Sequence, residues 1–355
     1  MHKHLTVIPT GYMGSGSSAV TDLISEINGF QQNHGTYEYV FLHCPDGLFD
    51  LEDKLLKGNT ALRSDEAIHR FLGYMKKLYQ PGYWFTNYRA VISPDFMDWC
   101  REFIDELGIS RFDDTFWYFQ EDIDTLPMRL RCYMRYAVSL LHGGRHPDGM
   151  PIRPLDYRGV TMAFPTPEVF YAAAGRLLEK VFRALGREEH PLVLDQFLLP
   201  HNLFRLDRYF DDDVRVIVVD RDPRDVFLSN KYYWSKSGEV VPLPYDAEEF
   251  CRVYAGMRRC EADADDPRIL RLHFEDLIYR YDETLKRVYP FLDVSAAQHD
   301  RRGTILMPER SANNTQLFRR KPEYAEEAAL IADRLPEYLY DFPSDSMPWQ
   351  EDMVF

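Results

Sequence analysis

Val214-Arg215-Val216-Ile217-Val218-Val219-Asp220-Arg221-Asp222-Pro223-Arg224-Asp225 decides the fold of this 355-residue chain. The apolar run at 216–219 is its clearest buried strand, and Asp222-Pro223 then turns the chain into a helix from about residue 225. Working outward, 192–194 and 269–272 read as further strands, and 247–260 and 281–291 as helices. At the amino end, 5–9 reads as a strand and 11–18 as a glycine loop. The helix after it carries Val20, Leu23, Ile24 and Ile27 on one face. Strands alternating with helices predict an α/β protein with a parallel sheet flanked by helices on both faces.

Between these ends the pattern changes. A second strand is expected over 37–42, closed by the Pro45-Asp46-Gly47 turn. Residues 51–144 are mostly helical in pattern and rich in aromatics, 145–166 loop-like, and 167–186 helical again. No internal repeat or low-complexity linker interrupts the chain. The expectation is therefore one domain over 1–355, with a helical insertion at about 50–185 that forms an acceptor cleft.

The 42 Lys+Arg against 57 Asp+Glu leave a net charge of −15. That balance excludes a protein that wraps nucleic acid, which needs a basic surface. With 45% hydrophobic residues, wholesale disorder is excluded too. The start has no apolar leader core and no run approaches the ~18 apolar residues of a membrane span. Five cysteines without a Cys-x-x-Cys pair point to reduced thiols and a cytoplasmic protein. His142 and His146 flank Gly143-Gly144 and precede Pro147, which reads as a loop, so no metal is expected.

Two segments carry chemistry. Gly11-Tyr12-Met13-Gly14-Ser15-Gly16-Ser17-Ser18 lies between strand and helix, where small residues and the first helical turn present N–H groups to an anion. Its spacing is that of a phosphate loop with Ser17 in place of the lysine. Arg221 stands just past a strand's carboxyl end, and Ser229 lies two turns into the following helix. Together they can hold a phosphate. On the residues alone, Arg221 paired with Asp222 or Asp225 and Ser229 on a solvated face is an equal reading.

The two segments together resemble the P-loop sulfotransferase family, which uses 3′-phosphoadenosine-5′-phosphosulfate (PAPS). The resemblance implies a P-loop NTPase-like sulfotransferase fold. It also implies that Tyr12, Met13, Gly14, Ser15, Gly16, Ser17 and Ser18 form the 5′-phosphosulfate loop and that Arg221 and Ser229 hold the 3′-phosphate. Leu272-His273-Phe274-Glu275-Asp276-Leu277 is similar to the family's third landmark. Phe318-Arg319-Arg320-Lys321-Pro322-Glu323 resembles its basic closing loop, which places Arg319, Arg320 and Lys321 on the nucleotide.

The implied activity is in-line transfer of the sulfuryl group of PAPS to a hydroxyl or amine of a saccharide or glycoconjugate. Gly14 stands where many members have Lys or Arg, and Lys54, Lys231, Lys236 and Lys321 are candidate replacements. Glu38 occupies roughly the place of the base in glycosaminoglycan-type sulfotransferases. His43 and Asp46 are the other candidate bases, with His34 and His69 weaker. Asp195 ends a strand and either touches acceptor or serves as a cap. Among aromatics that can stack on a ring, Tyr12 is preferred to Trp84, Trp117 and Trp234. Arg129, Arg131, Arg135, Arg153 and Arg158 in the middle region suit a saccharide, and the charge favours a sparsely charged acceptor.

Two other readings stand beside this one. The first is a nucleotide-binding scaffold without transfer activity. The second is a P-loop kinase or triphosphatase with Asp220 and Ser18 on magnesium. Partners are thus a nucleotide donor and a glycan or small-molecule acceptor, without nucleic acid or a membrane span.

Overall fold

The computed structural model describes residues 4–32, 37–112, 126–141, 143, 160–237, 242–262 and 265–343. His34, Trp117, His142, His146, Arg153 and Arg158 lie outside them, as do the side chains of Arg129, Arg131, Cys132 and Arg135. The strands in chain order are β1 (Thr6–Gly11), β2 (Gln31–Gln32), β3 (Ser110–Phe112), β4 (Val160–Met162), β5 (Leu192–Val193), β6 (Val214–Asp220) and β7 (Ile269–His273). Five of them form one sheet in the order β2-β5-β1-β6-β7, every neighbouring pair parallel. Strands β3 and β4 form a separate antiparallel pair. The α/β class with a parallel sheet flanked by helices is what the sequence predicts.

Side chains alternate across this sheet. Ile8, Leu192, Val216 and Val218 join a core built with Phe71, Phe103 and Phe170 from helices Ala61–Tyr79, Phe96–Glu106 and Pro167–Ala184. The helices of the expected insertion therefore share their core with one face of the sheet. Val7, Val193, Ile217 and Val219 face the other way. There they pack on Val20, Leu23 and Ile24 of helix Ser17–Ser25 and on Leu285 and Val288 of helix Tyr281–Phe291. Burying such side chains contributes about 1.5–3 kcal/mol each, which is why a continuous apolar run suits a strand covered on both faces.

One expected strand is absent. Residues 37–40 adopt no regular structure, and the short strand lies earlier, at β2. Alternating Tyr37, Tyr39 and Phe41 imitate a strand, but their rings pack in an aromatic cluster with Tyr88 and Phe197. The Val40 N–H goes to the Tyr88 hydroxyl at 2.9 Å instead of a neighbouring strand. Ring packing holds this segment, together with a backbone bond from the Tyr39 N–H to the Asp195 carbonyl at 3.4 Å, in place of a ladder.

Candidate active site

Register brings three sequence-distant segments to one edge. Gly11 pairs with Val219 and Asp220 with His273, so the glycine loop, Arg221 and Phe274 all emerge at the carboxyl ends of adjacent strands. That edge is where open parallel sheets bind ligands. The Phe274 N–H donates to the Asp220 carbonyl at 2.8 Å and continues the pairing past the strand end.

The loop is shaped by glycine where no other residue fits. Gly14 and Gly16 have φ of 76° and 86°. A Cβ on Gly14 would lie 2.9 Å from the Trp234 ring, and one on Gly16 would lie 2.8 Å from Phe274. Those two rings also flank Arg221, with centroids 5.9 and 5.1 Å from its guanidinium carbon. Trp234 reaches this place because helix Pro223–Ser229 widens into a π-turn over Asn230–Trp234, a feature often found at functional sites. Helix Ser17–Ser25 has Gly16 as its N-cap, with no side-chain cap and no acidic residue in its first turn. Its leading N–H groups and positive dipole end are therefore available to an anion.

Arg221 is 4% exposed. It donates to the Gly14 carbonyl at 3.0 Å, the Ser229 hydroxyl at 3.0 Å and the Asn314 carbonyl at 2.6 Å, while its Nε has no partner. Burial pulls its pKa down, opposed by the charges of Asp225, Glu275 and Asp222. None of those carboxylates shares a hydrogen bond with Arg221. Asp222 caps the helix and binds Arg224, and Asp225 accepts the Gln316 and Leu317 N–H groups, each at 2.8 Å. Glu275 accepts the Asp222 N–H at 2.9 Å. Asp225 thus pins the 312–320 segment over Arg221. Within that segment Arg320 donates to the Asn313 carbonyl, whereas Arg319 and Lys321 are exposed.

A second polar group adjoins the loop. Gln196, held at φ 56°, donates from its amide to the Ser17 hydroxyl at 2.8 Å, and its amide oxygen accepts from Thr10 at 3.1 Å. Its carbonyl lies 2.8 Å from His43 Nε2. A carbonyl only accepts, so that nitrogen carries the proton. Burial pushes His43 down to about 4, and the ring is neutral at pH 7. Asp195, 4% exposed, lies beside the Thr21 and Ser17 hydroxyls and leaves Oδ1 without a partner. Burial raises it to about 7, helped by the nearby Glu38 charge. Glu38 is itself raised by burial, against the nearby Trp84 indole, which lowers it.

The remaining predicted residues lie as follows. Asp46 is turned to Lys54 at 2.5 Å and to Arg70 at 3.7 Å. His69 bonds the Asp65 carbonyl one turn back in its own helix. Tyr12 is buried beneath the Arg258 guanidinium, 3.8 Å from its ring centre, and its hydroxyl donates to Glu261. The Tyr12 ring is covered, so a stacking role does not suit it. Met13 and Ser18 are exposed on the loop, and Ser15 is buried with its hydroxyl unpartnered. Of the candidate lysines, Lys54 pairs with Asp46 and Lys231 with Glu327, while Lys236 and Lys321 are exposed. Thr10, Thr21, Gln196 and Asn314 adjoin these groups and are not among the sequence candidates, whereas Phe274 lies within the 272–277 landmark. Of the four, Gln196 has a local signal, its place beside Asp195 at a strand end.

Among the described residues no helix is long and apolar enough to cross a membrane, and no group of three or more His, Cys, Asp or Glu is arranged to hold a metal. Cys44, Cys100 and Cys251 are free and buried, and Cys260 is free and exposed.

No curated protein shows significant sequence similarity to the chain. Among solved structures it is similar to sulfotransferase STF9 of Mycobacterium avium, at 12% identity over 94% of this chain and 76% of that one, TM-score 0.34. Sulfotransferase STF1 of Mycobacterium tuberculosis H37Rv follows at 11% identity over 93% and 76%, TM-score 0.31. A retinol dehydratase in complex with androsterone and inactive cofactor PAP matches at 18% identity over 95% and 82%, TM-score 0.30. Residues 145–298 match the model of the sulfotransferase family, a stretch that includes β5, β6, β7, Arg221 and Ser229. Over that stretch, less than half of its length, the chain is similar to the sulfotransferase family.

Proposed function

We propose that the protein transfers the sulfuryl group of PAPS to a hydroxyl or amine of a saccharide or glycoconjugate. The observation that carries this reading is the single cluster formed by Arg221, Ser229 and the Gly14 carbonyl of the glycine loop. A phosphate loop alone is common; a buried arginine and serine beside it make a second anion site at fixed distance. The unspent polar atoms there, Arg221 Nε and the Ser15 hydroxyl, also suit a nucleotide bisphosphate.

Arg221 and Ser229 would hold the 3′-phosphate, which takes over the donors now given to the Asn314 carbonyl. The loop and first turn of helix Ser17–Ser25 would hold the 5′ end, with Ser17 oriented by Gln196. Arg319, Arg320 and Lys321 add positive charge at the mouth. The bound nucleotide supplies an activated sulfuryl group whose bond to the 5′-phosphate breaks as the acceptor bonds to sulfur. Glu38 is the proposed base for the acceptor proton, because burial raises its pKa toward the working range of a general base. His43 is the second choice, since its Nε2 already carries a proton committed to Gln196. Asp46, held by Lys54, is the weakest.

Titration calorimetry with adenosine 3′,5′-bisphosphate tests the reading, with binding expected and its absence at millimolar concentration overturning it. Gly14 favours one further reading, a scaffold that binds nucleotide without transfer, because its left-handed backbone and the Trp234 ring leave no room for a loop cation. Bisphosphate binding without sulfation across a broad acceptor panel would favour the scaffold. The kinase reading is weakened by Asp220, whose carboxylate is paired with Arg258 at 2.6 Å.

A further inference from the structure

We infer that the exposed Trp84 ring forms an acceptor platform beside Glu38 that takes the flat face of a neutral sugar ring, with Tyr83 set nearly at right angles to it as a side wall, an inference that rests on the transferase reading above. Tyr83 and Trp84 are 73% and 67% exposed, an unusual state for large aromatics in a chain with so much aromatic core. Trp84 is nevertheless placed, since its indole lies near enough to Glu38 to lower that carboxyl's pKa. Phe85 braces both, stacked on Tyr83 at 5.7 Å and 12° and edge-on to Trp84 at 5.0 Å.

The turn that carries them is tied down from several sides. The Thr86 N–H and hydroxyl donate to the Tyr83 carbonyl at 3.0 and 2.9 Å. The Tyr37 hydroxyl donates to the Thr86 carbonyl at 2.7 Å, and the Asn87 N–H to the Gln80 carbonyl at 2.9 Å. Tyr37 is the residue before Glu38, so platform and candidate base are held by one set of bonds. A platform ordered before binding does not lose conformational freedom when a ligand arrives.

The open setting selects the ligand. A wholly apolar acceptor gains most when buried on all sides, which calls for an enclosed slot. A sugar has an apolar C–H face for an aromatic ring and hydroxyls that stay hydrated on the other side, which an exposed platform serves. Placed on Trp84, such a ring presents a hydroxyl toward Glu38, whose carboxylate oxygens can accept it.

The test is saturation-transfer NMR on the full chain with methyl β-D-galactopyranoside and methyl β-D-glucopyranoside, with adenosine 3′,5′-bisphosphate titrated in parallel. Transfer to the ring C–H protons is expected in the parent. Affinity should fall about tenfold or more in Tyr83→Ala/Trp84→Ala, and Trp84→Phe, which keeps a ring face, should retain most of it. Both sites are exposed, and circular dichroism melts check that the variants fold. Equal sugar binding by parent and double variant overturns the platform. So does binding of 4-nitrophenol but of neither sugar, or binding of neither probe. Failure of the bisphosphate titration alone overturns the transferase reading instead, which separates the two.

Discussion

At the scale of single residues, Arg221 is the group on which the nucleotide reading turns. Its guanidinium donates to three acceptors from three parts of the chain. Hydrogen bonds to charged groups contribute about 1.5–3 kcal/mol, so Arg221→Ala should weaken bisphosphate binding about 10- to 100-fold in calorimetry. Ser229→Ala, which removes one hydroxyl, should cost only about fivefold. Unchanged affinity in both would remove Arg221 from the site. Glu38→Gln should lower turnover about 10²- to 10⁴-fold while bisphosphate affinity stays at the parent value. Parent-like turnover in that variant would shift the role of base to His43 or Asp46. Arg221 and Ser229 were legible because they flank one strong strand. Gln196 was not, because its partners Thr10, Ser17 and His43 come from two other stretches of chain.

At the scale of elements, the glycine loop and the 312–320 segment are the parts whose shape matters. Gly14 is left-handed and faces Trp234, so a side chain there meets backbone strain of about 1–2 kcal/mol in addition to a steric contact. Gly14→Lys is therefore expected to lower the melting temperature and weaken bisphosphate binding instead of supplying a cation. Tighter binding or faster transfer in that variant would contradict this. Asp225 holds the Gln316 and Leu317 N–H groups, and Asp225→Ala should free the segment. Limited proteolysis should then cut near 316–321 faster, and resistance equal to the parent would show that other contacts suffice. The expected strand at 37–42 shows the limit of pattern reading at this scale. Alternation of aromatic residues states which side chains are buried, not whether a neighbouring backbone is within reach.

At the scale of the whole molecule, buried carboxyls couple stability to pH. Burial raises Asp195 and Asp225 to about 7 and Glu275 to about 8 in the folded chain, against ordinary values of 3.8 and 4.5. The folded state thus holds protons that the unfolded chain has released, and stability falls as pH rises through that interval. His43, lowered to about 4, works the other way, but only below its ordinary 6.5. Between pH 6.5 and 8 the carboxyls decide, and the melting temperature should drop across that window. Glu275→Gln should flatten the slope; a melting temperature that rises with pH would refute the assignment. The same scale settles what the net charge of −15 means for a ligand. Surface charge is screened within about 8 Å at physiological salt, so the few cations at one sheet edge matter more than the total.

By itself the sequence determined the parallel α/β class, the position of the glycine loop after the first strand, and the arginine–serine pair after the strongest one. Each of these is local: an apolar run, a glycine spacing and an eight-residue offset are properties of contiguous chain. Tertiary structure alone decided that Phe274 and Trp234 flank Arg221, that Tyr12 is covered by Arg258, and that Asp46 belongs to Lys54. It alone placed exposed Trp84 against Glu38. Those outcomes depend on strand register and on competition among many arginines and carboxylates for partners, and neither is written in any one stretch of chain.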